Sequence, residues 1–132
     1  RKIVIHDAEA LKKLEKIVHP LVGERQQEIR TEAEAAGADI LLLDIPLLFE
    51  TGGDKQVDFT LVVTAPYEVQ RDRVLSRPGM TEESFEALLA KQLPDSEKRA
   101  RADFVINTRI DLDYARDQVR ALIAALRRLK QA

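Results

Sequence analysis

The 132-residue sequence contains no cysteine and no tryptophan, and its apolar runs are short. Without cysteine the chain can form neither a disulfide nor a thiolate metal site, which fits the reducing cytoplasm. The longest apolar stretches are at 40–43 and 45–49, far short of the roughly 20 residues of a membrane helix. No signal-peptide pattern opens the chain. We therefore expect a cytoplasmic protein with no membrane partner.

The chain also lacks a strong excess of charge, because 21 Lys and Arg stand against 23 Asp and Glu and give a net charge of -2. A protein that coats nucleic acid needs a clear positive excess, so no nucleic-acid partner is expected. The 45% of hydrophobic residues suffices for one core, and we expect one compact domain with a small lid. For self-association we expect a monomer or a weak homo-oligomer.

Apolar patterning predicts strands that alternate with helices. Uninterrupted apolar runs at 39–44 and 59–64, each followed by a proline, are typical of parallel strands buried on both faces, and a third strand is predicted at 103–107. Later helices are predicted at 67–77, from Thr81 to Pro94, after Asp95, and at the carboxyl end, where Ala115, Val119, Leu122, Leu126 and Leu129 recur at helical spacing. This order predicts a parallel α/β sheet whose ligands bind at the carboxyl ends of the strands.

Two consecutive helices are predicted before the first strand. Asp7 is suited to cap the first helix, which we expect to end at the His19-Pro20 step because a residue before proline disfavours the helical conformation. Pro20 suits the first turn of the second helix, and Gly37 is placed to end it in a left-handed conformation.

Asp44 follows a predicted buried strand, where a nucleotide-dependent phosphotransferase holds Mg²⁺ directly or through water. The same pattern fits an aspartate that ends a strand and caps the next turn. Leu47, Leu48 and Phe49 would usually be core residues, but an apolar run after a strand can also form a wall for an organic substrate. The residues alone leave both alternatives open.

Gln70, Arg73 and Arg77 fall at positions i, i+3 and i+7 of one predicted helix, which places an amide and two guanidinium groups on one face. Arginine matches phosphate oxygens bidentately and keeps its charge, so this face could clamp a polyphosphate. A solvated charged face explains the same spacing.

Two further basic features lie near predicted boundaries: one cluster stands just before the third strand, and one histidine stands at the junction of the first two helices. The cluster of Lys98, Arg99 and Arg101 is interpreted as surface charge. His19 could hydrogen-bond a ligand or act as a base, although a histidine at a helix junction is more often a capping or packing residue.

Five stretches of the chain resemble the dephospho-CoA kinase family and stand in the same order. They are IVHPLV at 17–22, LLLDIPLLFE at 41–50, VVTAPYEVQRDR at 62–73, RPGMTEE at 77–83 with KQLP at 91–94, and EKRARADFVIN at 97–107. The resemblance implies a P-loop kinase-like fold. It also implies phosphorylation of the ribose 3′-hydroxyl of dephospho-CoA by ATP with Mg²⁺, the last step of coenzyme A synthesis.

The resemblance implies a role for each candidate residue. Asp44 would lie near Mg²⁺, and Asn107 near adenine. The acceptor pocket would be formed by His19, Pro46, Leu47, Leu48 and Phe49, the nucleotide would contact Gln70, Arg73 and Asn107, and the catalytic residues would be Arg73 and Arg77. Three regions are implied: a helical acceptor-binding region at 1–38, a core at 39–66 and 95–132, and a helical lid at 67–94.

The sequence departs from the family pattern at several points. The G-x-x-x-x-G-K-[ST] phosphate-binding loop is absent from the 132 residues, as is the upstream acidic base, and the chain starts with Arg1. Thr108 stands where a glycine is usual after Asn107, and Pro78 lies in the lid turn. We therefore expect a truncated or processed chain whose fold is incomplete at the amino terminus and which is inactive alone.

Three other functions are consistent with parts of the same pattern. Another P-loop nucleoside or nucleotide kinase would share Asp44 and the lid arginines but need a different acceptor pocket. A receiver-like signalling domain would use Asp44 as phospho-acceptor with Thr64, but it needs a lysine where Asn107-Thr108-Arg109 stands. A non-catalytic CoA-binding module is the third.

Overall fold

The computed structural model describes residues 8–131, apart from the side chains of Ala8, Leu11 and Gln131. The chain divides into two compact units, and the boundary lies between Leu43 and Asp44. The predicted cap residue Asp7 lies outside the described residues. Within the described range, no helix has the length and apolarity needed to cross a membrane.

Helix α1 of the first unit runs without a break from Ala8 to Ala35 and contains Pro20. The prediction of two helices divided at this proline is therefore wrong. Pro20 has no N–H to donate to the carbonyl of Lys16, and a proline inside a helix costs about 3 kcal/mol. The flanking segments are rich in Leu, Lys, Glu, Gln and Arg, which favour helix. Because helix propagation adds one hydrogen bond per residue, the long runs on both sides carry the helix through the proline.

The predicted left-handed end of this helix is confirmed at Gly37, which has φ +69°. The N–H of Ala38 donates to the carbonyl of Ala33 at 2.9 Å, and that of Gly37 donates to Glu34 at 3.0 Å. This pair of bonds is the Schellman arrangement, which satisfies the last helical carbonyls.

The predicted strand at 39–44 is absent from the structure, and this prediction is wrong. A strand needs a neighbour that pairs with its backbone, and the sheet of the described residues contains only two other strands. The side chains of Ile40, Leu41 and Leu42 are exposed, up to 77% for Leu42, and Leu43 is half-buried. The pattern indicates burial on both faces, but no described strand supplies the pairing that would realise it.

The second unit alternates strands and helices, as predicted. Its elements are a 3₁₀ helix (Gly53–Gln56), β1 (Leu61–Thr64), α2 (Tyr67–Leu75), α3 (Glu82–Ala90), α4 (Asp95–Arg101), β2 (Phe104–Asn107) and α5 (Leu112–Gln131). Strands β1 and β2 pair in parallel, with Leu61 opposite Phe104 and Thr64 opposite Asn107. The predicted class, a parallel sheet with flanking helices, is confirmed.

A small core holds the strands and the helices between them together. The buried apolar residues of the described chain are Phe49, Val62, Ala65, Phe85 and Ile106. The ring of Phe85 on α3 lies 5.8 Å from the ring of Tyr67 on α2, which packs these two helices. Thr81 caps α3 as predicted, because its hydroxyl oxygen accepts the N–H of Ser84 at 3.2 Å.

Candidate functional site

The carboxyl ends of β1 and β2 form a polar edge, because parallel pairing brings Thr64 beside Asn107. The hydroxyl of Thr64 donates to Oδ1 of Asp95 at 2.6 Å, and Nε of Arg99 donates to Oδ2 at 2.7 Å. These four residues line a cavity of about 200 Å³ with Ala65 and Pro66. The edge therefore holds an oriented guanidinium group beside the strand ends, where ligands bind α/β sheets.

Arg73 on α2 is anchored at the same edge. Its Nη1 donates to Oγ1 of Thr108 at 3.1 Å and its Nη2 to the Thr108 carbonyl at 2.6 Å. Thr108 in turn extends the sheet pairing, because its N–H donates to the carbonyl of Thr64 at 2.9 Å. A two-point hold of this kind fixes both the position and the plane of the guanidinium group.

Gln70 and Arg77 differ from Arg73 in what holds them. The Gln70 amide donates to the carbonyl of Ala65 at 2.6 Å and so closes the turn between β1 and α2. Arg77 lies beyond the end of α2 at Leu75 and has an exposed side chain. The predicted continuation of the helix to Arg77 is therefore wrong, because the N–H groups of Ser76 and Arg77 close the last turn and Gly79 follows with φ +77°.

Asn107 shapes the loop after β2 with its own side chain. Oδ1 accepts the N–H of Arg109 at 2.8 Å, which makes an Asx turn. The side-chain amide of Gln118 on α5 pairs with the Asn107 backbone, accepting its N–H at 3.0 Å and donating to its carbonyl at 2.8 Å. This loop is therefore ordered without the glycine that is usual in the family.

The segment predicted to border the acceptor forms a tight turn at residues 46–50. Leu47 has φ +57°, a conformation that is strained for a residue with a side chain. Its carbonyl accepts both the N–H and the hydroxyl of Thr51, at 3.0 and 2.9 Å. Phe49 is buried in the core, Leu48 is half-buried, and Leu47 is exposed. Apolar surface is thus presented mainly by Leu47, and Phe49 supports the turn from within.

Asp44, Pro46 and His19 are all exposed, His19 on α1 of the first unit. Within the described part of the chain, no three His, Asp or Glu side chains form a metal-binding group. A lone exposed carboxylate such as Asp44 nevertheless fits Mg²⁺, which at phosphotransfer sites uses one or two carboxylates and takes its other ligands from water and phosphate.

Glu50 is a largely buried carboxylate, with its side chain 14% exposed, that the sequence patterns missed. Its Oε1 accepts the N–H of Leu93 at 2.8 Å and lies 3.3 Å from Nζ of Lys98. Burial acts to raise the pKa of Glu50, but the bond from Leu93 and the charge of Lys98 outweigh it, so the pKa lies below its usual value. The sequence offers one signal for the burial of Glu50, which is that a charged residue ends an apolar run. Its basic partner lies much further along the chain.

The basic cluster on α4 is more than surface charge. Lys98 is only 20% exposed and binds Glu50, so the surface interpretation is wrong for this residue. Arg99 pairs with Asp95, and Arg101 lies 3.5 Å from Glu97. The three basic residues have different partners because they lie on different faces of the short helix α4.

A parallel α/β unit with arginines held at its strand ends, and with an exposed carboxylate ahead of the turn at residues 46–50, resembles the nucleotide-binding phosphotransferases. The family model for dephospho-CoA kinase matches residues 1–113. The chain belongs to the dephospho-CoA kinase family.

Individual relatives agree with the family match. The dephospho-CoA kinase of Mesorhizobium japonicum is 57% identical over 124 residues, which cover 94% of this chain and 63% of the relative. That of Brucella melitensis is 54% identical over 125 residues, covering 95% and 62%. The chain thus spans somewhat less than two thirds of the length of these relatives.

Two solved structures share the fold. The crystal structure of TT1252 from Thermus thermophilus superposes with a TM-score of 0.77 at 37% identity, covering 95% of this chain and 64% of that protein. A dephospho-CoA kinase from Campylobacter jejuni gives a TM-score of 0.64 at 26% identity, covering 96% and 63%.

Proposed function

We propose that the natural full-length protein transfers the γ-phosphoryl group of ATP to the 3′-hydroxyl of dephospho-CoA and so forms coenzyme A in the cytoplasm. Family membership supports this activity. The observation in the structure that carries the proposal is the two-point hold of Arg73 on Thr108, which places a permanent positive charge at the strand ends.

Arg73 and Arg77 are the proposed catalytic residues. Charge on the transferring phosphoryl group is stabilised best by donors that are already oriented, because no reorganisation is then needed during the reaction. Arg73 meets this condition. Arg77 is exposed in the turn after α2, and it would approach the phosphates when the lid closes and excludes water.

The nucleotide would lie along the edge formed by Gln70, Arg73 and Asn107. Gln70 fixes the turn at the end of β1, and Asn107 fixes the loop after β2. The proposed metal ligand is Asp44, whose exposed carboxylate is accessible from solvent. Mg²⁺ bound there would neutralise charge on the β- and γ-phosphates of ATP.

The acceptor would contact the turn at residues 46–50, and the family resemblance implies a role in acceptor binding for His19 on α1 as well. Pro46 and Leu47 present the exposed surface of this turn, while Leu48 and Phe49 support it from the core side. An apolar surface with few polar groups suits the organic pantetheine arm of dephospho-CoA. In this proposal residues 1–38 belong to acceptor binding, residues 67–94 form the lid, and residues 39–66 and 95–132 form the core.

The test is the ATP- and Mg²⁺-dependent conversion of dephospho-CoA to coenzyme A, followed by mass spectrometry. The natural full-length protein is compared with the 132-residue chain, which contains no G-x-x-x-x-G-K-[ST] loop. We expect coenzyme A from the full-length protein and none from the short chain, because the backbone N–H groups and lysine of that loop hold the phosphates.

Other outcomes would change the proposal. Turnover by the short chain would show that the phosphate site lies within these residues and that our account of it is wrong. Binding of dephospho-CoA without turnover by the full-length protein would favour a non-catalytic CoA-binding module, and phosphorylation of a nucleoside instead would favour another kinase.

A further inference from the structure

The carboxylate of Glu50 joins two segments that are 43 residues apart in the chain. Glu50 ends the turn at residues 46–50, and the N–H that it accepts belongs to Leu93, in the junction between α3 and α4. Lys98 on α4 contacts the same carboxylate oxygen and also donates to Oε1 of Gln92 at 2.7 Å. One oxygen atom therefore fastens the α3–α4 junction to the turn.

The two oxygen atoms of the Glu50 carboxylate differ in their hydrogen bonding. The Glu50 side chain is only 14% exposed, and its second oxygen, Oε2, is buried without a hydrogen-bond partner among the described residues. Oε2 thus loses its hydration without a replacement, whereas the bond from Leu93 and the charge of Lys98 compensate Oε1 and favour the ionised carboxylate. The contacts that hold Glu50 are therefore concentrated on the one oxygen that Leu93 and Lys98 share.

The two joined segments have different roles in the proposed function. The turn presents Leu47 to the acceptor, and the α3–α4 junction is where the lid returns to the core. Pro94 follows Leu93 and restricts its backbone, which stiffens this junction. A stiff junction tied to the turn defines a fixed base for lid movement.

We propose that Glu50 is a positioning residue that couples the acceptor turn to the base of the lid, with Lys98 as its partner. The coupling rests on the proposed function, since it assigns the turn to acceptor binding. By fixing the end of the turn, Glu50 keeps Leu47 in its strained conformation. The same carboxylate fixes the α3–α4 junction at Leu93. Occupation of the turn by the acceptor and closure of the lid then depend on one anchor.

The test uses Glu50→Gln in the natural full-length protein, because this change keeps the size of the side chain and removes its charge. The matched control is Glu97→Gln, which removes the same charge from an exposed ion pair with Arg101. Such pairs contribute little. We expect Glu50→Gln to raise KM for dephospho-CoA about tenfold with KM for ATP nearly unchanged, because the glutamine oxygen can still accept the N–H of Leu93 but no longer carries the charge that strengthens this bond and attracts Lys98. Glu97→Gln should leave both constants unchanged.

A second variant tests the partnership with Lys98. Lys98→Gln should raise KM for dephospho-CoA in the same direction, and the Glu50→Gln/Lys98→Gln double variant should be no worse than Glu50→Gln alone. Multiplying effects would show that the two residues act separately and would overturn the proposal. A fall in melting temperature with unchanged KM would show a merely structural role and would do the same.

Hydrogen exchange of the backbone amides supplies a readout that needs no turnover. In the unsubstituted protein, dephospho-CoA should slow exchange both at residues 46–50 and at 91–93; in Glu50→Gln it should slow exchange only at 46–50. Protection confined to 46–50 in the unsubstituted protein would refute the coupling while leaving the proposed function intact. If that protein neither binds dephospho-CoA nor forms coenzyme A, the proposed function fails, and the coupling fails with it.

Discussion

Thr60 and Asp103 bind each other reciprocally at the amino-terminal end of the two strands. Oδ2 of Asp103 accepts both the N–H and the hydroxyl of Thr60, each at 2.8 Å, and the Asp103 N–H donates back to the Thr60 hydroxyl oxygen at 3.1 Å. The pair closes the sheet one residue before its pairing begins. It therefore sets the register that brings Thr64 beside Asn107 at the opposite end.

Asp103→Asn is expected to lower the stability of the protein in a pH-dependent way. The N–H and hydroxyl of Thr60 hold the pKa of Asp103 below its usual value. A depressed pKa gives a stabilising contribution that is present above the unfolded-state value, about 3.9, and is lost as pH falls through the folded-state value. The melting temperature of Asp103→Asn should thus lie below that of the unsubstituted protein at neutral pH.

The difference should shrink as the pH falls below about 4, where Asp103 of the unfolded chain becomes protonated first, and it should vanish once the pH lies below the depressed pKa of the folded state. Asp117→Asn is the control, since Asp117 forms only an exposed ion pair with Arg120. An equal difference for Asp103→Asn at pH 7 and pH 3 would contradict the assigned role of the carboxylate.

Phe85→Ala should strongly destabilise the second unit. Phe85 is only 3% exposed and packs against Tyr67, so truncation removes buried surface and leaves a cavity between α2 and α3. Such changes cost about 3–5 kcal/mol of unfolding free energy, which urea unfolding measures. Phe85→Leu should cost markedly less because it fills more of the space. A loss under about 1 kcal/mol for the alanine variant would show that the helices repack freely.

Pro20→Ala is expected to stabilise α1. Alanine restores the N–H that can donate to the carbonyl of Lys16 and removes the clash of the proline ring, a difference of up to about 3 kcal/mol inside a helix. Backbone hydrogen exchange should slow on both sides of residue 20. Val22→Ala is the comparison, because it changes an exposed position of the same helix without altering the backbone. Unchanged exchange for Pro20→Ala would mean that the proline does not weaken the helix.

Local signals account for the elements that were predicted correctly, and long-range pairing accounts for the failures. Thr81 and Gly37 act through neighbours within five residues, so their roles can be read from the sequence. The strand at 39–44 was wrong because a strand exists only with a pairing partner, which no local pattern supplies. The bond from Leu93 to Glu50 spans 43 residues and could not be inferred from either segment alone.

The roles assigned to Arg73 and the other site residues remain predictions, and substitution of Arg73 tests the central one. Arg73→Ala in the natural full-length protein should lower kcat for coenzyme A formation by about 10²- to 10³-fold, as removal of one oriented donor to a transition state does. Arg73→Lys should recover only a small part of the loss, because lysine keeps the charge but cannot hold both oxygen atoms of Thr108.

Thr108→Val weakens the anchoring of Arg73 without changing its charge, since it removes the hydroxyl contact of Nη1, together with the bond from that hydroxyl to the Thr64 carbonyl, and leaves the carbonyl contact of Nη2. We expect a loss in kcat of about tenfold, with KM for ATP little changed, because the guanidinium group stays present but less firmly oriented. Arg116→Ala is the control, as Arg116 pairs only with exposed Asp113 on α5. If Arg73→Lys retained full kcat, charge alone would suffice and the two-point hold on Thr108 would have no part in catalysis.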